Sequence, residues 1–184
     1  MQTYCIILAA GNSKRFSNSE NKLFSNIYGS PLIFFTLTNI LKIFNKNEIY
    51  IVINKNLPKN QQSFLKTFTQ NNLIFGGKSR FESLKNAIQC FEKDVNLLIH
   101  DAARPNINKN LIKKIKNEIE NHNVYSVVPY TNITDTLKNK KIKKYHTVNR
   151  SQFIKTQTPQ ALKLNRVSRK IISSTHINVT DESE

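Results

Sequence analysis

The first apolar run of the chain, residues 4–8, ends abruptly in the small residues Ala9-Ala10-Gly11. This pattern predicts a short strand followed by a turn that exposes backbone N–H groups. Two cations, Arg15 and Lys22, come next, with a polar spacer between them. Backbone amides in such a turn can bind an anion, and Arg and Lys can stabilise charge on a transferring phosphoryl group. The segment therefore predicts a loop for a nucleoside triphosphate, although alone it also fits a tight turn without a ligand.

Strand and helix patterns alternate after this loop, which indicates βαβ units and parallel strands. The predicted fold class is α/β, a three-layer α/β/α sandwich around a mostly parallel, Rossmann-like sheet. Ligands of such sheets bind beyond the carboxyl ends of the strands, where residues 9–15 and Asp101 are expected to lie. The predicted strands are 4–8, 48–53, 73–75, 96–100 and 124–128, and the predicted helices are 31–45, 61–69, 81–91, 109–121 and 164–174.

The pattern changes over residues 131–157, which are polar, rich in Lys and prone to β structure. Little in this stretch could pack against a sheet, so it predicts a protruding β-arm or hairpin. A solvated loop is the alternative, although loops longer than about 12–15 residues are usually functional or disordered. The Lys-rich run at 138–144 is expected to be a solvated face.

Length and composition limit the classes of protein that fit. A chain of 184 residues with 39% hydrophobic and 22% charged residues is typical of one globular domain, here residues 1–184. It contains no apolar stretch long enough to span a membrane and no visible signal peptide. We therefore expect a cytoplasmic protein without a membrane partner.

The net charge of +16 raises the possibility of a nucleic-acid partner. The cations are mostly Lys and occur among abundant Asn and Ile, residues whose codons are rich in A and T. Genome composition explains that bias without a ligand, so we expect no nucleic-acid partner. A positive field also suits a small polyanionic substrate.

Cysteine and histidine give no sign of a metal or disulfide framework. The two cysteines, Cys5 and Cys90, are expected to be unpaired, buried small hydrophobes. The four histidines are scattered, and none pairs with a cysteine at metal-ligand spacing.

Several later motifs accompany the first loop: a second glycine turn at 76–83, the segment His100-Asp101-Ala102-Ala103-Arg104-Pro105, Asp135-Thr136, Arg150, Gln157-Thr158-Pro159-Gln160 and Thr180-Asp181. In this order they resemble, over the whole chain, the 2-C-methyl-D-erythritol 4-phosphate cytidylyltransferases of the non-mevalonate isoprenoid pathway. They are also similar to relatives that activate ribitol 5-phosphate. The resemblance implies a nucleotidyltransferase (GT-A-like) sheet. It also implies transfer of CMP from CTP to a polyol phosphate, with release of pyrophosphate.

The resemblance also implies roles for individual residues. Arg15 and Lys22 match the family's essential cations. The family's nucleotide-binding positions are matched by Ala9, Ala10, Gly11, Gly77, Ser83, Asp101 and Ala102. The implied cofactor is Mg²⁺. Asp101 also matches a substrate-binding position and is a candidate ligand of this ion. Positions that hold the substrate phosphate match Thr136, Arg150 and Thr158. Since the family's arm reaches into a partner subunit, residues 131–157 are expected to mediate a homodimer in which Thr136 and Arg150 act across the interface.

Some of these residues have plainer alternative roles. Arg104 is expected to brace Asp101 through an ion pair. Ser83 fits a residue near a helix N-terminus that satisfies backbone donors as well as it fits a nucleotide contact.

The chain departs from the family pattern near its first loop and at its end. Ser13 stands where the family has a second glycine, and Asn21 and Leu23 replace a Pro and a Gln around the loop lysine, so a softer loop is expected. The family continues beyond the Thr-Asp motif with a strand, a phosphate-binding Lys and a helix, and some relatives are fused to a cyclase domain. We therefore expect residues 1–184 to lack a C-terminal segment and, alone, to be unstable or weakly active.

Three functions remain open from the sequence. A cytidylyltransferase for 2-C-methyl-D-erythritol 4-phosphate fits the motifs best, and a ribitol-5-phosphate cytidylyltransferase shares them. A non-catalytic protein that binds nucleotides or RNA is a third possibility.

Overall fold

A computed structural model describes residues 1–11, 21–141 and 144–174. Arg15, Ser13, Thr180 and Asp181 lie outside these residues, so the predictions made for them stay predictions. Within the described residues, no helix is both long and apolar enough to cross a lipid bilayer.

A six-stranded sheet forms the centre of the molecule, in the order β5-β4-β1-β6-β12-β7. Its first four strands are parallel, and β12 runs antiparallel between β6 and β7. These strands are β1 (Thr3–Ala9), β4 (Ile49–Ile53), β5 (Leu73–Phe75), β6 (Val95–Asp101), β7 (Ser126–Val127) and β12 (Gln160–Leu164).

Helices cover both faces of this sheet, which confirms the three-layer architecture. One face packs against α1, α2 and α4, and the other against α3 and α5. Successive residues of β1 point to opposite faces of the sheet. Cys5 and Ile7 pack in the hydrophobic core on one face, and Ile6 packs in the core on the other. The helices are α1 (Leu32–Ile40), α2 (Lys59–Lys66), α3 (Arg80–Ile88), α4 (Lys109–Asn121) and α5 (Arg166–Ser174).

The predicted arm at 131–157 forms small antiparallel ladders outside the main sheet. Its base is β8 paired with β11, and beyond it β9 pairs with β10. Most of its described side chains are exposed, which agrees with the polar sequence. The small strands of the chain are β2 (Asn26–Ile27), β3 (Ser30–Pro31), β8 (Tyr130–Asn132), β9 (Lys138–Lys141), β10 (Lys144–Thr147) and β11 (Ile154–Thr156).

The helix predicted at 164–174 is confirmed as α5, which begins two residues later at Arg166, but the strand β12 at residues 160–164 was not predicted. Gln, Ala, Leu and Lys are good helix formers, so local propensity points away from a strand here. Pairing with β6 on one side and β7 on the other overrides that propensity. The sheet is consequently mixed, because β12 runs antiparallel to both of its neighbours, β6 and β7.

The two cysteines differ from each other. Both thiols are free, but Cys5 is buried in the sheet and Cys90 is exposed at the end of α3. The expectation of burial is therefore wrong for Cys90. Burial raises the pKa of the Cys5 thiol, which keeps it protonated and unreactive.

Candidate active site

The carboxyl ends of β1, β4, β5 and β6 meet at one edge of the sheet, because these four strands are parallel. Pairing places Leu8 opposite Asp101 and Ile53 opposite Phe75. The residues that follow each strand therefore lie side by side. This edge collects the first loop, the second glycine turn and the segment after Asp101, as the sequence predicts.

The first loop lies directly against the second glycine turn. Ala9 is the last, buried residue of β1, and the carbonyl of Ala10 accepts from the Asn54 side chain at 3.5 Å. A β-carbon at Gly76 would overlap the methyl group of Ala10 and lie 2.8 Å from Ser83 Oγ. Glycine at 76 is therefore what allows the two loops to touch.

Gly11 differs from Gly76, because it is exposed and an added β-carbon would meet none of the described residues within 4 Å. Gly11 is thus open to solvent at the end of β1, where a nucleotide is expected.

The second turn is fastened to the start of α3 by hydroxyl groups. Ser83 Oγ accepts from the backbone N–H of Gly77 at 3.2 Å and donates to the Ser79 carbonyl at 2.8 Å. Ser79 caps the helix by accepting from Glu82 N at 3.0 Å. Ser83 is 3% exposed, so its hydroxyl acts inside the protein and shapes the turn through Gly77.

Asp101 ends β6 between two arginines. Arg80 Nε lies 3.2 Å from Asp101 Oδ1, and Arg104 Nε lies 3.0 Å from Oδ2. The carboxylate is about a quarter exposed, so it is held in place yet still reachable from solvent. The expected ion pair with Arg104 is confirmed. Arg80 was missed by the sequence analysis, although it is the first residue of the helix that follows a quoted glycine turn.

The segment after Asp101 is fixed to neighbouring elements through its backbone. Ala102 N donates to the Leu8 carbonyl at 3.0 Å, and Thr36 Oγ1 donates to the Ala102 carbonyl at 2.8 Å. Asn39 holds the Pro105 carbonyl at 3.1 Å. Ala102 is buried, so its side chain is not open to a ligand. Its role at a nucleotide site would be to hold the end of β6 beside β1.

His100 is fully buried beside Asp101 and connects two of the motifs. Its Nε2 lies 3.0 Å from the Arg104 carbonyl, and its Nδ1 lies 3.0 Å from Thr158 Oγ1. Burial lowers the pKa of His100 below its ordinary value of 6.5, with smaller opposing effects of the hydrogen bond to Arg104 and of Asp101. The sequence places this histidine in the motif at 100–105, but no local pattern indicated a role for it.

Thr158 joins this edge because β12 runs antiparallel and begins at Gln160, which pairs with Ile99. The turn before β12 contains a cis peptide bond between Thr158 and Pro159. Gln157 Oε1 accepts from Arg104 Nη1 at 3.4 Å. Asp101, Arg104, Gln157 and Thr158 therefore form one connected set of residues, here called the Asp101 group.

Lys22 is exposed at the start of a short 3-10 helix that ends at Phe24. The two departures from the family pattern have local roles there. Asn21 Oδ1 caps the helix by accepting from Leu23 N at 3.1 Å, and Leu23 is buried in the core. A side-chain cap and an apolar anchor thus order this turn without a proline.

Two predicted site residues, Thr136 and Arg150, lie in the arm. Thr136 is exposed, and Arg150 donates to the Thr134 carbonyl of the same arm. Within the described part of the chain, no hydrogen bond or ion pair joins either residue to the Asp101 group. Among the described residues, no cluster of three or more His, Cys, Asp or Glu side chains could hold a metal ion.

Comparison with known proteins identifies the family. A bifunctional enzyme IspD/IspF of Pelagibacter ubique is 37% identical over 166 residues, which cover 88% of this chain and 43% of that protein. The 2-C-methyl-D-erythritol 4-phosphate cytidylyltransferase of Clostridium beijerinckii is 30% identical over 189 residues, 97% of this chain and 81% of that protein. The chain thus spans less than half of the bifunctional relative and about four-fifths of the other.

A solved structure agrees with these sequence relatives. The bifunctional IspDF of Campylobacter jejuni has a TM-score of 0.78 and 26% identity, and the match covers all of this chain and 46% of that one. The model of the family described as IspD, 2-C-methyl-D-erythritol 4-phosphate cytidylyltransferase, matches residues 3–184. The glycine turns, the Asp101 group and these matches together show that the chain belongs to the 2-C-methyl-D-erythritol 4-phosphate cytidylyltransferase family.

Proposed function

We propose that this chain transfers CMP from CTP to 2-C-methyl-D-erythritol 4-phosphate, giving CDP-methylerythritol and pyrophosphate. The observation that carries the proposal is the junction at one sheet edge of two glycine loops and an arginine-bound carboxylate. Family membership supports the same reaction.

In the proposed reaction, an oxygen of the substrate phosphate attacks the α-phosphorus of CTP. A new P–O bond forms, the bond from the α-phosphorus to the bridging oxygen breaks, and pyrophosphate leaves with the electron pair. Little covalent chemistry is required of the protein in phosphoryl transfer, so positioning and charge stabilisation do most of the work. Lys22 and Arg15 are the proposed catalytic cations.

The two glycine loops divide the nucleotide between them in this proposal. The exposed surface above Ala10 and Gly11 suits the triphosphate, because backbone N–H groups of such loops bind anions. The turn at Gly77, shaped by Ser83, suits the cytidine. Asp101 and Ala102 lie where the ribose would approach the end of β6.

We also propose Mg²⁺ as the cofactor. Mg²⁺ in such sites is held by one or two carboxylates, by substrate phosphates and by waters. Each oxygen of Asp101 accepts one guanidinium N–H, and an ionised carboxylate has about four lone-pair sites, so capacity for a further ligand remains. Asp101 therefore fits as a protein ligand, and the bound ion would neutralise charge on the triphosphate.

The arm supports a further part of the proposal, a homodimer in which Thr136 and Arg150 of one subunit serve the other subunit's site. Three aromatic residues on and beside the arm, Tyr130, Tyr145 and Phe153, are exposed in the single chain. An interface would bury them.

Pyrophosphate release tests the reaction. The purified protein is mixed with CTP, Mg²⁺ and either 2-C-methyl-D-erythritol 4-phosphate or ribitol 5-phosphate. We expect release with the first, none after chelation of Mg²⁺, and near-complete loss in Lys22→Ala. Preference for ribitol 5-phosphate would reassign the substrate, and release with neither substrate from a version extended by the family's C-terminal segment would contradict the proposal. RNA binding that weakens steeply with salt and survives Lys22→Ala would instead support a non-catalytic role.

A further inference from the structure

His100 is a fully buried titratable side chain that the proposed reaction does not use. It lies on β6 directly before Asp101, and both of its ring nitrogens have partners. One partner is the Arg104 carbonyl, and the other is the hydroxyl of Thr158. The ring thus joins the segment 101–105 to the turn before β12.

The identity of these partners fixes the positions of the protons. A carbonyl oxygen can only accept, so Nε2 of His100 carries the proton and donates to Arg104. Nδ1 of the neutral ring is then unprotonated and can only accept. Thr158 Oγ1, 3.0 Å away, must therefore donate its single proton to His100.

This arrangement limits what Thr158 can do for a substrate. A hydroxyl that has donated its proton offers only lone pairs to a third group. A phosphate dianion also offers only lone pairs, whereas the hydroxyl groups of a polyol can donate. Thr158 therefore suits a substrate hydroxyl better than the phosphate to which the sequence resemblance assigned it.

We propose that His100 is a positioning residue that holds Thr158 as an acceptor for a hydroxyl group of the polyol phosphate. The inference rests on the proposed function for the identity of the substrate. His100 acts on the reaction through Thr158 and through the backbone of Arg104, and does not touch the reacting atoms.

Two substitutions at position 100 each remove one of the two hydrogen bonds of His100 and keep the other. His100→Asn places an amide oxygen near the position of Nδ1, which keeps the acceptor for Thr158 and gives up the donor to Arg104. His100→Gln places an amide N–H near the position of Nε2, which keeps the donor and gives up the acceptor. Both variants lose the imidazole, so a purely structural role would affect them alike.

Steady-state kinetics supply the first readout. We expect His100→Gln to raise KM for the polyol phosphate by about tenfold, with KM for CTP changed less than about twofold. His100→Asn should raise KM for the polyol phosphate only about two- to threefold. An equal change in both variants, or equal effects on the two substrates, would overturn the positioning role.

The second readout uses the hydroxyl groups of the substrate. Thr158→Val removes the hydroxyl with little change of shape, and Thr158→Ser is the matched control that keeps it. We expect Thr158→Val to raise KM for the parent substrate about tenfold. With the deoxy analogue that lacks the recognised hydroxyl, Thr158→Val and the unchanged protein should have the same KM. A uniform loss with every deoxy analogue would assign Thr158 to the phosphate.

A third measurement does not depend on activity. Long-range ¹H–¹⁵N NMR of histidine-labelled protein should show His100 as the Nε2–H form with an unprotonated Nδ1. The Nδ1 signal should shift in Thr158→Val and stay near its original position in Thr158→Ser. A proton on Nδ1 would refute the inference even in an active enzyme, whereas absence of turnover with the expected NMR pattern would fault the proposed function instead.

Discussion

Gly76 packs so closely against Ala10 that a β-carbon at position 76 would overlap the alanine methyl group. The contact joins the loop after β1 to the turn after β5, across the strand β4 that lies between them in the sheet. Two loops expected to share one nucleotide are thus held in a fixed relation before any ligand binds.

Gly76→Ala should therefore lower the free energy of unfolding by about 1–3 kcal/mol, because the added methyl forces Ala10 or Ser83 to move. Gly11→Ala is the control, since its β-carbon would meet no atom of the residues that the structure describes within 4 Å. Urea denaturation of both variants checks this. Similar free energies of unfolding for the two would mean that the loops can part without cost.

Asp101→Asn should reduce kcat/KM at least about tenfold while changing the free energy of unfolding by less than about 1 kcal/mol. The ion pairs to Arg80 and Arg104 are partly exposed, and such pairs contribute little to stability. Their orienting effect on the carboxylate should matter in catalysis. Glu118→Gln, which removes the partner of His122 on α4, is a matched control and should leave kcat/KM unchanged. A large stability loss in Asp101→Asn alone would favour a structural role.

Stability should fall as the pH drops below about 6.5, partly because of His100. The pKa of His100 is lowered in the folded protein, so between its folded and unfolded values the unfolded chain binds more protons. The stability contributed by the neutral ring is thus present above pH 6.5 and lost as the pH falls toward the folded pKa. The charged groups that influence this ring, Asp101, Arg104 and Arg80, are unchanged in His100→Asn. The unfolding temperature of that variant should therefore change less between pH 7.5 and 5 than that of the original protein. An equal change in both proteins would mean that His100 does not contribute to the loss of stability.

Mixing two inactive variants tests the proposed action of the arm across a dimer. Lys22→Ala and Arg150→Ala each disable both sites of a homodimer, but a mixed dimer has one site with neither change. After subunit exchange, an equal mixture should regain about a quarter of the original activity, because half of the dimers are mixed and each has one intact site. A mixture of Lys22→Ala with Lys22→Ala/Arg150→Ala is the control and should stay inactive. No recovery in the first mixture, with exchange verified by co-purification of differently tagged subunits, would place Arg150 in its own subunit's site.

The sequence predicts local elements well where one periodic pattern dominates. The helix expected at 109–121 is α4 with the same bounds, because Ile112, Ile115 and Ile119 recur at helical spacing and are all buried. The strand at 73–75 is likewise confirmed. The strand β12 was missed, since its residues favour a helix and only its neighbours in the sheet make it extended.

Contacts within the candidate site were predictable where one motif contains both partners and harder to predict where distant segments meet. Asp101 and its ion pair with Arg104 come from one short segment, and both were predicted. Arg80 reaches Asp101 from another helix, and the bond between His100 and Thr158 joins residues 58 positions apart. No local pattern indicates such contacts.

The antiparallel strand β12 has a consequence for how the molecule forms during synthesis. Val127 of β7 pairs with Ala161, and among the strands that the structure describes β7 is bonded to β12 alone. The ribosome must therefore release the whole arm before β7 can join the sheet. Chains emerge at about 5–20 residues per second, so β7 waits roughly two to seven seconds for its partner. During that interval one edge of β6 is unpaired and open to solvent or to a chaperone, until β12 pairs with it.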